Sequence, residues 1–239
     1  MRDTGQMALA IFPTPRFAEA DFREAPSNAQ AYAWITRTAE WPNHRLALWG
    51  DAGRGKTHLL HIWAERTGAA LWLGRTLSAL PDLPPAGIAL DDADAVAEET
   101  ALLHLLNAAG EARLPVLLAA RQAPARWPVR LPDLASRLRA VTAVELGAPE
   151  DTLLRALVAR LLADRQIRLP DAVQEWLVRR LPRSADALRE AVVRLDTASL
   201  DRQRRITVPF AASVLADMLE PNEISGTGSL AAQDEAPLL

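Results

Sequence analysis

Eight consecutive residues constrain this chain more than any others: Gly50-Asp51-Ala52-Gly53-Arg54-Gly55-Lys56-Thr57. They satisfy the pattern G-x-x-x-x-G-K-[ST] at every fixed position, and such a loop is built between a buried strand and the start of a helix. Both flanks are present. Leu46-Ala47-Leu48-Trp49 reads as strand, and His58-Leu59-Leu60-His61-Ile62-Trp63 as helix. Glycines at 50, 53 and 55 let successive N–H groups turn toward phosphate oxygens, while the helix presents its positive end to the same anion. Residues 50–58, His58 included, form the predicted nucleotide-binding segment, with Lys56 on the β- and γ-phosphates and the Thr57 hydroxyl on Mg²⁺. Lys56 is the single lysine of the chain; an arginine fork would not fit a nest shaped around a slim ammonium.

A second chemical element follows at Gly87-Ile88-Ala89-Leu90-Asp91-Asp92. An apolar strand ending in two carboxylates suits a Mg-nucleotide site, so Asp91 is assigned to the metal and Asp92 to the attacking water. Strands often end in aspartate at a turn, and the pair gains its meaning from the complete phosphate loop before it.

Composition excludes several classes. The net charge of −3 disfavours a protein that grips DNA through a broad basic surface, so any DNA link is indirect. Zero cysteines exclude a disulfide framework, a thiolate nucleophile and a Cys-ligated zinc site, and fit a cytoplasmic protein. No run approaches a membrane span, and the N-terminus lacks the charged-then-apolar order of a secretory signal.

Along the chain, Gln6-Met7-Ala8-Leu9-Ala10-Ile11 is a short apolar patch cut off by Pro13 and Pro15, either a docking peptide or a frayed end. Residues 29–41 have helical character, with Ser27 or Asn28 as N-cap. Strands are predicted at 46–49, 70–73, 87–91, 115–120 and 141–146, and a helix at 100–112. This alternation defines a three-layer α/β fold with a parallel sheet and a nucleotide at the carboxyl ends of the strands. From Pro149 onward only helices are predicted, near 150, at 171–181, after Ser184 and at 208–219. The resulting division is a peptide at 1–15, an α/β domain at 16–147, a helical lid at 148–220 and a disordered tail at 221–239.

The local words narrow the class. A phosphate loop, an Asp-Asp strand and a trailing helical lid resemble AAA+ proteins, and Gly53–Leu60 with Pro26-Ser27-Asn28 and Ala31-Tyr32 looks like the replication initiator DnaA. Leu131-Pro132-Asp133-Leu134-Ala135-Ser136-Arg137-Leu138 and residues 203–210 are closer to the Hda family of DnaA-related proteins. The resemblance spans roughly residues 6–219, without the DNA-binding domain of an initiator. It implies that Gln6, Met7, Leu9 and Ile11 dock on the sliding clamp, with Ala10 where the family carries proline, and that Arg137 is an arginine finger acting in trans on DnaA-bound ATP.

Two departures from the family pattern stand out. Ala119 and Ala120 replace polar sensor residues at the end of the fourth strand, and Asp186, with Arg189 one turn on, stands where relatives carry a sensor arginine. Neither alanine can hydrogen-bond a γ-phosphate, and an acid repels one. The implied protein holds ADP or ATP with Mg²⁺ as a scaffold, hydrolyses little itself, and works in the cytoplasm at the replisome as a negative regulator of initiation. Two other readings stay open: an autonomous, clamp-loader-like ATPase, and a DnaA-loading or localising factor without ATPase stimulation. Homo-oligomer formation is also left open. His58 and His61 are read as packing residues, the seven tryptophans as core, and Arg202, Arg204 and Arg205 as a small basic cluster.

Overall fold

In the computed structural model the described residues are 17–202 and 205–219, with the side chains of 201 and 202 excluded. Gln6, Met7, Leu9 and Ile11, which the resemblance assigns to clamp docking, Arg204 of the basic cluster and the tail from 221 lie outside them.

Five parallel strands, β1 (Arg45–Trp49), β2 (Ala70–Leu73), β3 (Ile88–Asp91), β4 (Val116–Ala120) and β5 (Thr142–Glu145), form one sheet in the order β2-β3-β4-β1-β5. Apolar residues occupy both faces of its central strands, because helices cover the two sides. On one side α1 (Ala29–Ile35) and α2 (Lys56–Thr67) bury Ile35, Leu59, Leu60 and Trp63 against Leu46, Leu48, Leu117 and Ala119. On the other, α3 (Glu99–Glu111) and α4 (Pro132–Arg139) bury Leu102, Leu105, Leu134 and Leu138 against Ile88, Leu90 and Leu118. Each such leucine contributes about 1.5–3 kcal/mol by leaving water.

A separate apolar core joins α5 (Asp151–Asp164), α6 (Asp171–Arg180), α7 (Ala185–Arg202) and α8 (Val208–Val214). On α7, Leu188, Ala191, Val192 and Leu195 share the buried face that their spacing predicts.

Three local expectations are corrected. The helix expected over 29–41 ends at Ile35, because the hydroxyls of Thr36 and Thr38 bond back to Ala33 O and Ile35 O and two short 3₁₀ turns follow. Neither Ser27 nor Asn28 caps that helix through its side chain. The buried Asn28 amide instead accepts from Ala25 N at 2.9 Å and donates to Arg23 O at 2.9 Å, while Ser27 Oγ donates to Glu150 Oε2 at 3.0 Å. The last helix stops at Val214 and continues as a 3₁₀ turn, Ala216–Met218. Of the tryptophans, Trp41, Trp63 and Trp127 are buried, and Trp34, Trp49, Trp72 and Trp176 are half-buried.

Candidate functional site

The register of the sheet assembles the site. β1 ends at Trp49 opposite Ala120 of β4, and the chain enters the loop at Gly50, whose N–H donates to Ala120 O at 3.2 Å. Gly50 has φ +145°, and a Cβ there would come within 2.6 Å of Leu146 O, so a side chain is excluded by both backbone conformation and space. Gly53, at φ +71°, lies against Ser184 at the start of α7, where a Cβ would collide.

Inside this cradle Lys56 Nζ donates to Gly50 O at 2.6 Å and to Asp51 O at 2.7 Å. Burial pulls its pKa below 10.5, opposed by the charges of Asp91 and Asp94. Thr57 Oγ1 donates to Asp91 Oδ2 at 2.7 Å, joining the two residues assigned to Mg²⁺. Arg54 Nη2 holds Asp51 Oδ2 at 2.8 Å, while its Nη1 is buried without a hydrogen-bond partner. An orphaned guanidinium nitrogen, an ammonium and a hydroxyl–carboxylate pair around one glycine nest are the donor set a Mg-nucleotide takes. When bound, Mg²⁺ would sit with Thr57 and Asp91, and the phosphates with Lys56 and the loop amides.

Not every assigned residue faces this point. Asp92 adopts a left-handed backbone (φ 49°, ψ 43°), and its carboxylate pairs with Arg75 after β2. The His58 ring leaves the loop, with Nε2 at 3.0 Å from Ala18 O, and packs edge-on to Phe17 and Phe22. His61 stacks on Phe17 at 4.4 Å between centroids. Both rings therefore pack against aromatic side chains of the segment that precedes α1.

The start of α7 reaches the loop directly. Ala185 N donates to Gly53 O at 3.0 Å, and Ser184 Oγ caps α7 by accepting from Ala187 N at 3.1 Å. Asp186 stands beside Gly53 and pairs with Arg189 at 2.7 Å, so the acid is partly neutralised within its own helix. The sheet end of β4 is apolar: Ala119 and Ala120 are buried. Asp94 was not singled out by sequence reasoning, yet its Oδ2 accepts from Arg121 N at 2.8 Å at the mouth of the site. Its signal was the third acid of Asp91-Asp92-Ala93-Asp94.

Arg137 lies elsewhere. It occupies the last turn of α4, which leads into β5 where Thr142 pairs with Leu46, so it sits by the N-terminal ends of the strands. The loop is at the other end of β1, roughly 15 Å of strand away. The Arg137 side chain is 36% exposed and meets Asp133 at 3.3 Å.

The model for the Hda lid domain matches residues 150–215. A protein of Haemophilus influenzae described as uncharacterized is 32% identical over 186 residues, covering 70% of this chain and 80% of that protein. Domain III of the Thermotoga maritima replication initiation protein DnaA superposes with TM-score 0.71 at 17% identity, covering 87% of this chain and 99% of that one. This chain belongs to the Hda/DnaA-related AAA+ family. The AAA+ fold extends to AMPPCP-bound DnaA from Aquifex aeolicus (TM-score 0.62, 16% identity, 80% and 69% covered) and to the Thermotoga maritima RuvB branch migration motor (0.64, 18%, 84% and 72%).

The packing of this family member sets a pH dependence. Burial pushes His58 and His61 below the ordinary histidine value of 6.5. The unfolded chain then takes up protons first, so stability is full above pH 6.5 and is lost as pH falls through the folded-state values. Glu175, held at about 2 by Arg155, acts in a separate window below 4.5. Thermal melts are expected to show a falling midpoint as pH drops below 6.5, and His58→Gln to flatten that slope. An unchanged slope in the variant would show that the His58 ring is solvated.

Proposed function

We propose that this protein is a nucleotide-bound regulator of DnaA that docks on the DNA-loaded sliding clamp and stimulates hydrolysis of ATP held by DnaA. The observation that carries this reading is the position of Arg137, half-exposed on α4 and far from its own phosphate loop. A guanidinium there has no phosphate of its own to contact and is free to meet a neighbour's. The chain's own site holds Lys56, Thr57 and Asp91 for ADP or ATP with Mg²⁺, but apolar Ala119 and Ala120 and the acid Asp186 supply nothing that would speed hydrolysis. Aquifex aeolicus DnaA binds AMPPCP in the same fold, which supports a nucleotide in this one.

Clamp docking is assigned to Gln6, Met7, Leu9 and Ile11, a short apolar set led by a glutamine. The test mixes ATP-bound DnaA with clamp on DNA and follows phosphate release. Wild-type protein is expected to accelerate it, and protein lacking residues 1–12 to lose both clamp binding and stimulation while keeping its nucleotide affinity. Normal clamp binding by the truncated protein would move docking to another surface.

A further inference from the structure

Between β4 and α4 runs an eleven-residue connector, 121–131, whose two ends are held by carboxylates from one segment, the stretch leaving β3. Asp94 Oδ2 accepts from Arg121 N at 2.8 Å at the near end. At the far end Glu99 takes two successive backbone amides: Arg130 N at 3.0 and 2.9 Å from its two oxygens, and Leu131 N at 3.0 Å from Oε2. Pro132 follows at once and opens α4, so these two amides are the last of the connector before the helix that carries Arg137. Glu99 is itself the first residue of α3, against which α4 packs through Leu134 and Leu138.

We infer that Glu99 is a positioning residue for Arg137, with Asp94 securing the other end of the same connector; this rests on reading Arg137 as the finger. A carboxylate accepting from consecutive amides fixes backbone orientation as well as distance, which a lone apolar contact between helices does not. Leu134 and Leu138 hold α4 down on the core; Glu99 sets its start and therefore the direction in which its last turn presents the guanidinium. Glu99 thus ties the start of α4 to the first turn of α3, while Asp94 ties the other end of the connector to the turn Ala93–Ala95 that follows Asp91.

Glu99→Gln keeps size and shape but leaves one acceptor oxygen for the two amides and turns an amino group toward Arg130 N, which both carboxylate oxygens face in the wild type. Hydrogen exchange at Arg130 and Leu131 is expected to accelerate about tenfold, as a charge-assisted bond is lost. DnaA-bound ATP hydrolysis at saturating protein should fall about tenfold, with half-saturating concentration, clamp binding and nucleotide affinity unchanged. In an Arg137→Ala background the same substitution should cause no further fall, since both act through one group. Asp94→Asn provides a second variant, expected to accelerate exchange at Arg121. Unchanged exchange in both variants would overturn the clasp, and faster exchange with undiminished hydrolysis, or an additive loss on Arg137→Ala, would overturn its link to the finger. If Arg137→Ala alone stimulates DnaA-bound ATP hydrolysis as the wild type does, the finger reading itself falls and takes this inference with it.

Discussion

Replacing Arg137 with alanine is expected to remove nearly all stimulation of DnaA-bound ATP hydrolysis, a loss of about 10³–10⁵-fold by comparison with arginine fingers given in trans. The size follows from the task. A guanidinium is always charged and can meet two phosphate oxygens as charge develops between them, and no other group of this chain is proposed to enter the neighbour's site. The substitution leaves the fold intact, because the side chain is partly exposed and its contact with Asp133 at 3.3 Å is a surface i,i+4 pair contributing a few tenths of a kcal/mol. Arg137→Lys should recover little, since an ammonium offers a point charge without the fork. The measurement is single-turnover phosphate release from ATP-bound DnaA with clamp on DNA. Equal rates for wild-type protein and Arg137→Ala would remove Arg137 from the mechanism.

Lys56→Ala is expected to weaken both ATP and ADP binding by about 10²–10⁴-fold, the loss of two charge-assisted contacts of about 1.5–3 kcal/mol each. Lys56 is the ammonium at the floor of the loop, and its Nζ already lies 2.6 Å from Gly50 O and 2.7 Å from Asp51 O. Because the β-phosphate is common to both nucleotides, the two affinities should fall together. Equilibrium binding of a fluorescent nucleotide, competed with ATP and ADP, reads this directly. Retained affinity in a folded variant would place the nucleotide away from residues 50–57.

Much of this architecture is legible in the linear chain because its signals are local. Gly50 to Thr57 needs no distant residue to declare a phosphate loop, since the glycines and the flanking apolar runs are contiguous. The strands 46–49, 70–73, 87–91, 115–120 and 141–146 are short apolar runs between breakers, and each appears within a residue or so of its predicted bounds. Helix ends were less legible. At Ile35 two threonine hydroxyls compete for backbone carbonyls, and at Asn28 the side chain was claimed by Arg23 and Ala25 rather than by the helix behind it.

The chemistry of the loop, the alternation that makes a parallel sheet, and the all-helical end follow from the linear chain, for these depend on residue types at short spacing. Folding in three dimensions brings particular groups together: Thr57 with Asp91, Asp92 with Arg75, Gly53 with the start of α7, and Glu99 with residues 130 and 131. It also set Arg137 at the opposite end of β1 from Lys56. Such pairings span tens of residues and are fixed by strand order and by which faces must be buried together, information that no local spacing contains.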